Sequence, residues 1–166
     1  MPEKKDFPPE LSVILPAFNE GAHIHANLLR VCETLDGLRY EIIVVDDGSS
    51  DDTFAQCQRA TDEGFPVRAV KQEINRGKGA SLFHGFEFSR GELVAFLDSD
   101  LEIAPENILK LIKIMQATNA DVVAGVKDLQ SNQFPPVRRL MSRTYRSMVA
   151  FLFGLILVCY TITGYD

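Results

Sequence analysis

The chain has 166 residues, 46% of them hydrophobic, enough for one domain with a real core. Its formal net charge of −6 is unevenly spread: residues 1–126 carry 12 Lys and Arg against 21 Asp and Glu, and residues 127–166 carry 5 against 2. The acidic body argues against a nucleic-acid binder, while the basic tail asks for its own explanation.

Taken in order, residues 1–10 read as a polar tail whose start, Met1-Pro2-Glu3-Lys4-Lys5-Asp6, lacks the apolar core of a signal peptide. Leu11–Leu15 is a short apolar strand closed by Pro16, with Ala17-Phe18-Asn19-Glu20 as its loop. Ile24, Leu28, Val31, Cys32 and Leu35 recur at helical spacing. Ile42–Val45 is a second buried strand, and Asp46-Asp47-Gly48-Ser49-Ser50-Asp51-Asp52-Thr53 reads as a turn running into a helix cap. A helix to about Glu63, a strand Val67–Val70, the loop Asn75-Arg76-Gly77-Lys78-Gly79 and a helix to about Ser89 follow. Then come a strand from Leu93, expected to be central, a helix from Pro105 to about Thr118 and a strand Asp121–Val126. Strand and helix alternate throughout. The pattern predicts an α/β fold, a mostly parallel Rossmann-like sheet with helices on both faces.

The stretch Leu93–Leu97 reads as a strand buried on both faces, and it ends in Asp98-Ser99-Asp100-Leu101-Glu102. Ligands of open α/β sheets bind past the carboxyl ends of the strands. If the chain stays extended for one more step, Asp98 and Asp100 face the same volume, an arrangement that suits a hard divalent cation. The plain alternative is that Asp100 or Glu102 caps the helix opened by Pro105. Two phosphate-binding loops are absent. Pro16–Glu20 is not G-x-G-x-x-G, and Gly77-Lys78-Gly79-Ala80 lacks the spacing and hydroxyl of a Walker loop. What remains is a set of carboxylates past strand ends, Glu20, Asp47, Asp98 and Asp100, which would repel a diphosphate unless Mg²⁺ or Mn²⁺ lay between them. Phe18 reads either as pocket or as core, and Lys78 either as functional or as a solvated turn lysine. His23, His25 and His84 read as structural or surface residues. Cys32, Cys57 and Cys159 are odd in number and have no metal-ligand spacing, so they read as buried thiols.

The four segments Val13–Glu20, Val44–Asp51, Asn75–Gly79 and Phe96–Leu101, in this order, resemble the family 2 glycosyltransferases of GT-A fold. Within them the resemblance is to the polyprenyl-phosphate branch that includes dolichyl-phosphate mannose synthase. It implies a nucleotide-sugar-binding domain over residues 11–134. Pro16, Phe18, Glu20, Val45 and Asp47 would line the base and ribose pocket. Asp98 and Asp100 would be catalytic, holding the metal and the sugar nucleotide, with Ser99 between them and Glu102 as a further metal ligand. Lys127 would stand near the phosphates, where the branch usually has arginine. The implied donor is GDP-mannose or UDP-glucose, the cofactor Mg²⁺ or Mn²⁺, and the acceptor a polyprenyl or dolichyl phosphate.

Residues 135–166 read as an amphipathic basic helix and the start of an acceptor region. Met141, Tyr145, Met148 and Leu152 form an apolar stripe, and Arg138, Arg139, Arg143 and Arg146 supply the charge. Such a helix suits an anionic membrane surface, with Phe151–Val158 extending the contact, or it packs on the sheet as an ordinary charged helix. The run Met148–Tyr160 is shorter than the ~20 residues of a spanning helix. With the resemblance, the tail predicts a peripheral protein at the cytoplasmic membrane face. After Lys127 no motif for a general base stands out, Asp128 reading as a loop residue, which fits a phosphate acceptor attacking by single displacement with inversion. Where the branch has Asp-Thr-Gln-Thr-Gly-Phe-Lys, this chain has Tyr160-Thr161-Ile162-Thr163-Gly164-Tyr165-Asp166. That departure sets beside the active transferase the reading of a truncated or divergent non-catalytic sugar-nucleotide binder; a third reading is a soluble transferase using a sugar hydroxyl acceptor.

Overall fold

A computed structural model describes residues 8–127 and 157–162. The element order is β1 (Leu11–Ala17), α1 (Ile24–Thr34), β2 (Tyr40–Asp46), α2 (Thr53–Asp62), β3 (Val67–Lys71), α3 (Lys78–Glu87), β4 (Leu93–Phe96), α4 (Glu106–Thr118), β5 (Val122–Lys127) and β6 (Leu157–Ile162). The chain divides into two compact units, residues 1–105 and 106–166.

In the first unit β1 to β4 form one parallel sheet in the order β3-β2-β1-β4. The chain steps from β1 outward to β2 and β3, then returns to the far side of β1 as β4. Right-handed crossovers therefore put α1 and α2 on one face and α3 on the other. The reversal lies between β1 and β4, the place where open α/β sheets hold ligands. Ile14, Ile43 and Val45 point toward α3 and pack with Val70, Leu82, Phe88 and Val94. Gly85 lets α3 approach, since a Cβ there would come within 2.5 Å of Ile14 Cγ2. Val13, Leu15, Ile42 and Val44 point to the opposite face and are buried, as are Ile24, Leu28, Val31 and Leu35 of α1 and its end.

Among the described residues the strand expected to be central ends the four-stranded sheet. Among the described residues β4 pairs only with β1, from Leu11↔Leu93 to Ile14↔Phe96. Leu93, Val94 and Ala95 are half-buried and Phe96 is 58% exposed, so the described residues cover the run only in part. Pro16 contributes to its early end. The Leu97 N–H donates to Ile14 O at 3.1 Å, so Ile14, and two residues on Pro16, direct their backbone groups toward the β4 side. Proline has no N–H to offer there, and the two strands part.

In the second unit α4 packs on a parallel pair, β5 with β6, in register from Val122↔Leu157 to Lys127↔Ile162. Leu157 and Val158, read as the end of a membrane-contacting run, are thus strand residues opposite Val122 and Val123. Arg138, Arg139, Arg143 and Arg146, with the apolar stripe beside them, lie outside the described residues. Among the described residues no helix is long and apolar enough to cross a membrane.

A buried polar cluster closes the end of the sheet opposite the reversal point. Glu41 Oε1 accepts from Ser12 Oγ and from the Arg90 backbone N–H, both at 2.7 Å, and Oε2 accepts from Arg90 Nη2 at 2.9 Å. Ser12 Oγ in turn accepts from the Gly91 N–H at 2.8 Å. Burial works against the Glu41 carboxylate, but these donors and the guanidinium charge outweigh it and hold its pKa below the ordinary glutamate value. A depressed folded pKa contributes stability that is present above the unfolded pKa of about 4.3 and is lost as pH falls through the folded one. Glu41→Gln is expected to cost about 1.5–3 kcal/mol at pH 7 in denaturant unfolding. The substitution is also expected to flatten the acid limb of the stability profile relative to wild type.

Candidate functional site

Three loops meet at the carboxyl ends of β1, β2 and β3. The first follows β1. Asn19 takes a left-handed turn at φ 56°, which asparagine tolerates. Its N–H donates to Ser49 Oγ at 2.9 Å and its Oδ1 accepts from the Ser50 N–H at 3.0 Å. The Glu20 N–H donates to Thr53 Oγ1 at 2.8 Å, and the Gly21 N–H to Asp51 Oδ2 at 3.0 Å. The β1 loop is therefore laced to the β2 loop by side chains whose short polar type also favours turns and caps.

Asp47 joins the third loop to these two. Its N–H donates to Ala17 O at 2.9 Å, extending the β1–β2 ladder by one bond. Its carboxylate accepts from two successive backbone groups, the Arg76 N–H on Oδ1 and the Gly77 N–H on Oδ2, each at 2.8 Å. Gly77, at φ 86° and ψ 158°, sits in a region open essentially only to glycine, and the helix α3 starts at the next residue, Lys78. The neighbouring Asp46 is turned inward. Its Oδ1 accepts from the Ser49 N–H at 3.0 Å, and its buried Oδ2 has no hydrogen-bond partner among the described residues. Burial first, and then the Asp46 charge, push the Cys57 thiol up to about 12, which leaves it unreactive.

After β4 the chain does not stay extended. The Leu101 N–H donates to Asp98 O at 3.2 Å, closing a tight turn, and Leu101 itself is at φ 52°. A positive φ on leucine costs roughly 1–2 kcal/mol. The turn, rather than strand alternation, brings Asp98 and Asp100 to one side. Asn27 of α1 holds it in place, Nδ2 donating to Ser99 O at 2.8 Å.

These segments enclose a pocket of about 380 Å³ lined by Pro16, Ala17, Phe18, Glu20, Asp47, Asn75, Gly77, Lys78, Asp98, Ser99 and Asp100. That volume lies in the ~300–1,000 Å³ range of ligand sites. Phe18 is 46% exposed and belongs to the pocket, not the core. Lys78 is no free turn lysine, for its Nζ pairs with Asp98 Oδ1. Two expected residues stand elsewhere. Val45 is fully buried with Ile14 and Ile43, so its side chain supports the floor and does not line the pocket. Glu102 gives its N–H to Asp100 Oδ1 at 3.0 Å but is not among the lining residues. Lys127 is the last residue of β5, in the second unit. His25 faces Glu63 and His84 faces Glu87, and neither lines the pocket.

Among the described residues no group of three or more His, Cys, Asp or Glu is arranged to hold a metal. Two carboxylates on one turn nevertheless fit Mg²⁺ or Mn²⁺, because Mg²⁺ is usually held by one or two carboxylates and completes its shell with water and substrate phosphate.

A family profile described as "Glycosyl transferase family 2" matches residues 12–164. The chain belongs to this family. It is 32% identical over 137 residues to a dolichol-phosphate mannosyltransferase of Pyrococcus furiosus, covering 81% of this chain and 38% of that protein. It is 40% identical over 129 residues to an undecaprenyl-phosphate 4-deoxy-4-formamido-L-arabinose transferase of Pseudomonas paraeruginosa, covering 75% and 38%. The chain thus spans well under half the length of these relatives. Among solved structures, a mannosyltransferase from Pyrobaculum calidifontis in complex with GDP-Man and Mn²⁺ aligns with a TM-score of 0.64 and 25% identity, covering 75% of this chain and 37% of that one. The fold of this family 2 member is therefore of the GT-A type.

Asp47→Asn leaves one acceptor oxygen for the two backbone donors of the Arg76–Gly77 loop. It is expected to cost about 1.5–3 kcal/mol, and amide exchange at Arg76 and Gly77 is expected to lose protection ahead of the core strands.

Proposed function

We propose that this chain binds a nucleoside-diphosphate sugar, GDP-mannose or UDP-glucose, and transfers its hexose to a polyprenyl or dolichyl phosphate with a divalent cation as cofactor. The observation that carries the reading is the charge of the pocket at the β1–β4 reversal. Glu20, Asp47, Asp98 and Asp100 line it, and Lys78 is the only basic residue among the lining residues. A diphosphate enters such a pocket only when more positive charge accompanies it. Asp98 and Asp100 would hold that charge, with Glu102 next to them in sequence as a further ligand. When bound, Mg²⁺ or Mn²⁺ supplies positive charge against the leaving diphosphate.

The chain's own residues do the rest. Pro16, Phe18, Glu20 and Asp47 present an aromatic face and acceptors to the base and ribose, on loops already fixed to one another. Ser99 is buried and spaces the two aspartates. Lys127 would add charge near the phosphates. The relatives named for dolichol phosphate and undecaprenyl phosphate support a lipid-phosphate acceptor. Such an acceptor is already anionic at neutral pH and attacks the anomeric carbon without a general base, in one displacement that inverts configuration. Arg138, Arg139, Arg143 and Arg146 would draw the lipid phosphate and an anionic membrane surface, placing the protein peripherally at the cytoplasmic face.

Calorimetric titration of GDP-mannose and UDP-glucose, with and without Mn²⁺, tests the donor site. One donor is expected to bind only with the metal, and Asp98→Asn or Asp100→Asn to weaken that binding at least about tenfold, or ~1.4 kcal/mol. A folded chain that binds neither donor overturns the reading. With lipid phosphate present, a product of retained anomeric configuration overturns the single displacement.

A further inference from the structure

We propose that Lys78 is the resident counter-ion of Asp98: it neutralises this carboxylate until a divalent cation arrives, then turns to the diphosphate of the donor. The inference rests on the donor-binding reading above and assigns Lys78 a part in it.

Four facts carry it. Lys78 Nζ pairs with Asp98 Oδ1 inside the pocket. It is the only basic residue among the described lining residues, against four carboxylates. Asp47 already has both oxygens engaged by backbone N–H groups, which leaves the remaining negative charge on Glu20 and on the Asp98–Asp100 turn, the latter holding two of the three carboxylates. Finally, the pair is easy to break. The two side chains are 60% and 44% exposed, and an ion pair so open to water contributes little. A divalent cation competes for Asp98 against a weakly held single charge.

What happens to the displaced ammonium follows from where it is anchored. Lys78 is the first residue of α3, and the Gly77 N–H bonded to Asp47 fixes the backbone just before it. The stem above that fixed backbone is flexible, and the ammonium is a point charge with rotatable donors. It moves from carboxylate to phosphate without a backbone rearrangement. The N-terminus of α3 adds positive potential on the same side.

The role has a signature that a purely structural lysine lacks, because its effect changes sign. Lys78 opposes metal binding when no nucleotide is present and favours nucleotide binding once the metal is in. The experiment uses the full chain, wild type and K78M, with circular dichroism to check that both fold. Free Mn²⁺ is followed by electron paramagnetic resonance in the absence of nucleotide. Then GDP and UDP are titrated at saturating Mn²⁺. K78M is expected to bind Mn²⁺ more tightly, by up to about fivefold, the worth of an exposed ion pair. It is expected to bind the preferred nucleoside diphosphate about tenfold more weakly, the loss of a charge-assisted hydrogen bond, and K78R to recover part of that loss. Unchanged or weaker Mn²⁺ binding by folded K78M overturns the proposal whether or not nucleotides bind. Tighter Mn²⁺ binding with full nucleotide affinity overturns the transfer to phosphate. If wild type binds neither GDP nor UDP while K78M still binds Mn²⁺ more tightly, the donor reading falls and the Asp98 counter-ion stands.

Discussion

The pocket depends on the bonds made by one residue. Asp47 continues the β1–β2 ladder through its N–H to Ala17 O, and through its carboxylate it holds the Arg76 and Gly77 amides. Burying a carboxylate is costly unless donors replace the lost water, and two amide bonds at 2.8 Å do so. The return is geometric. The ends of β1 and β2 and the start of α3 become one body, and Phe18, Glu20, Asn75 and Lys78 are placed relative to each other before any ligand arrives. This is the order of events that favours binding, since loops ordered in advance lose little entropy when a ligand enters.

Around this junction, short polar side chains replace regular secondary structure. Asn19, Ser49, Ser50, Asp51 and Thr53 link the first two loops, and Asn27 reaches from α1 to the Ser99 carbonyl. The apolar floor beneath is set by different rules. Val45 and Ile14 lie against Gly85, where a side chain would collide with Ile14 and crowd Val45. Above the packed floor and the hydrogen-bonded loops, Lys78 and Asp100 are exposed and Asp98 is half-buried, paired with Lys78.

Much of this was legible in the sequence. Periodicity located β1 to β4 and α1 to α4, because alternation and helical spacing are local properties of the chain. Pro16, Phe18, Glu20, Asp47, Asp98, Ser99 and Asp100 do share one pocket. The failures are those of tertiary context. An apolar run such as Leu93–Leu97 does not say whether a neighbour covers each face, and among the described residues β4 pairs on one side only. Val158–Tyr160 has the composition of several structures, and only its pairing with Val123–Gly125 makes it a strand. The pair Asp46-Asp47 is chemically uniform, yet one carboxylate is buried facing inward and the other clamps a loop. Asn27 gave no signal, since an amide on a helix reads as an ordinary polar residue until its partner is known. The positive φ of Leu101 has no mark in composition at all.

The position of β4 also has a consequence for folding. β1 meets Tyr40 at Leu11 on one side and Leu93 on the other, so its second partner is synthesised long after its first. Closing that long loop carries the larger entropic cost, and contacts so distant in sequence form slowly. The loops that carry Phe18, Glu20 and Asp47 can assemble on β1 to β3 alone. The turn bearing Asp98 and Asp100 exists only once β4 has docked. Asp98 and Asp100 are thus the late arrivals, and an incompletely folded chain carries only half of the four carboxylates that line the finished pocket.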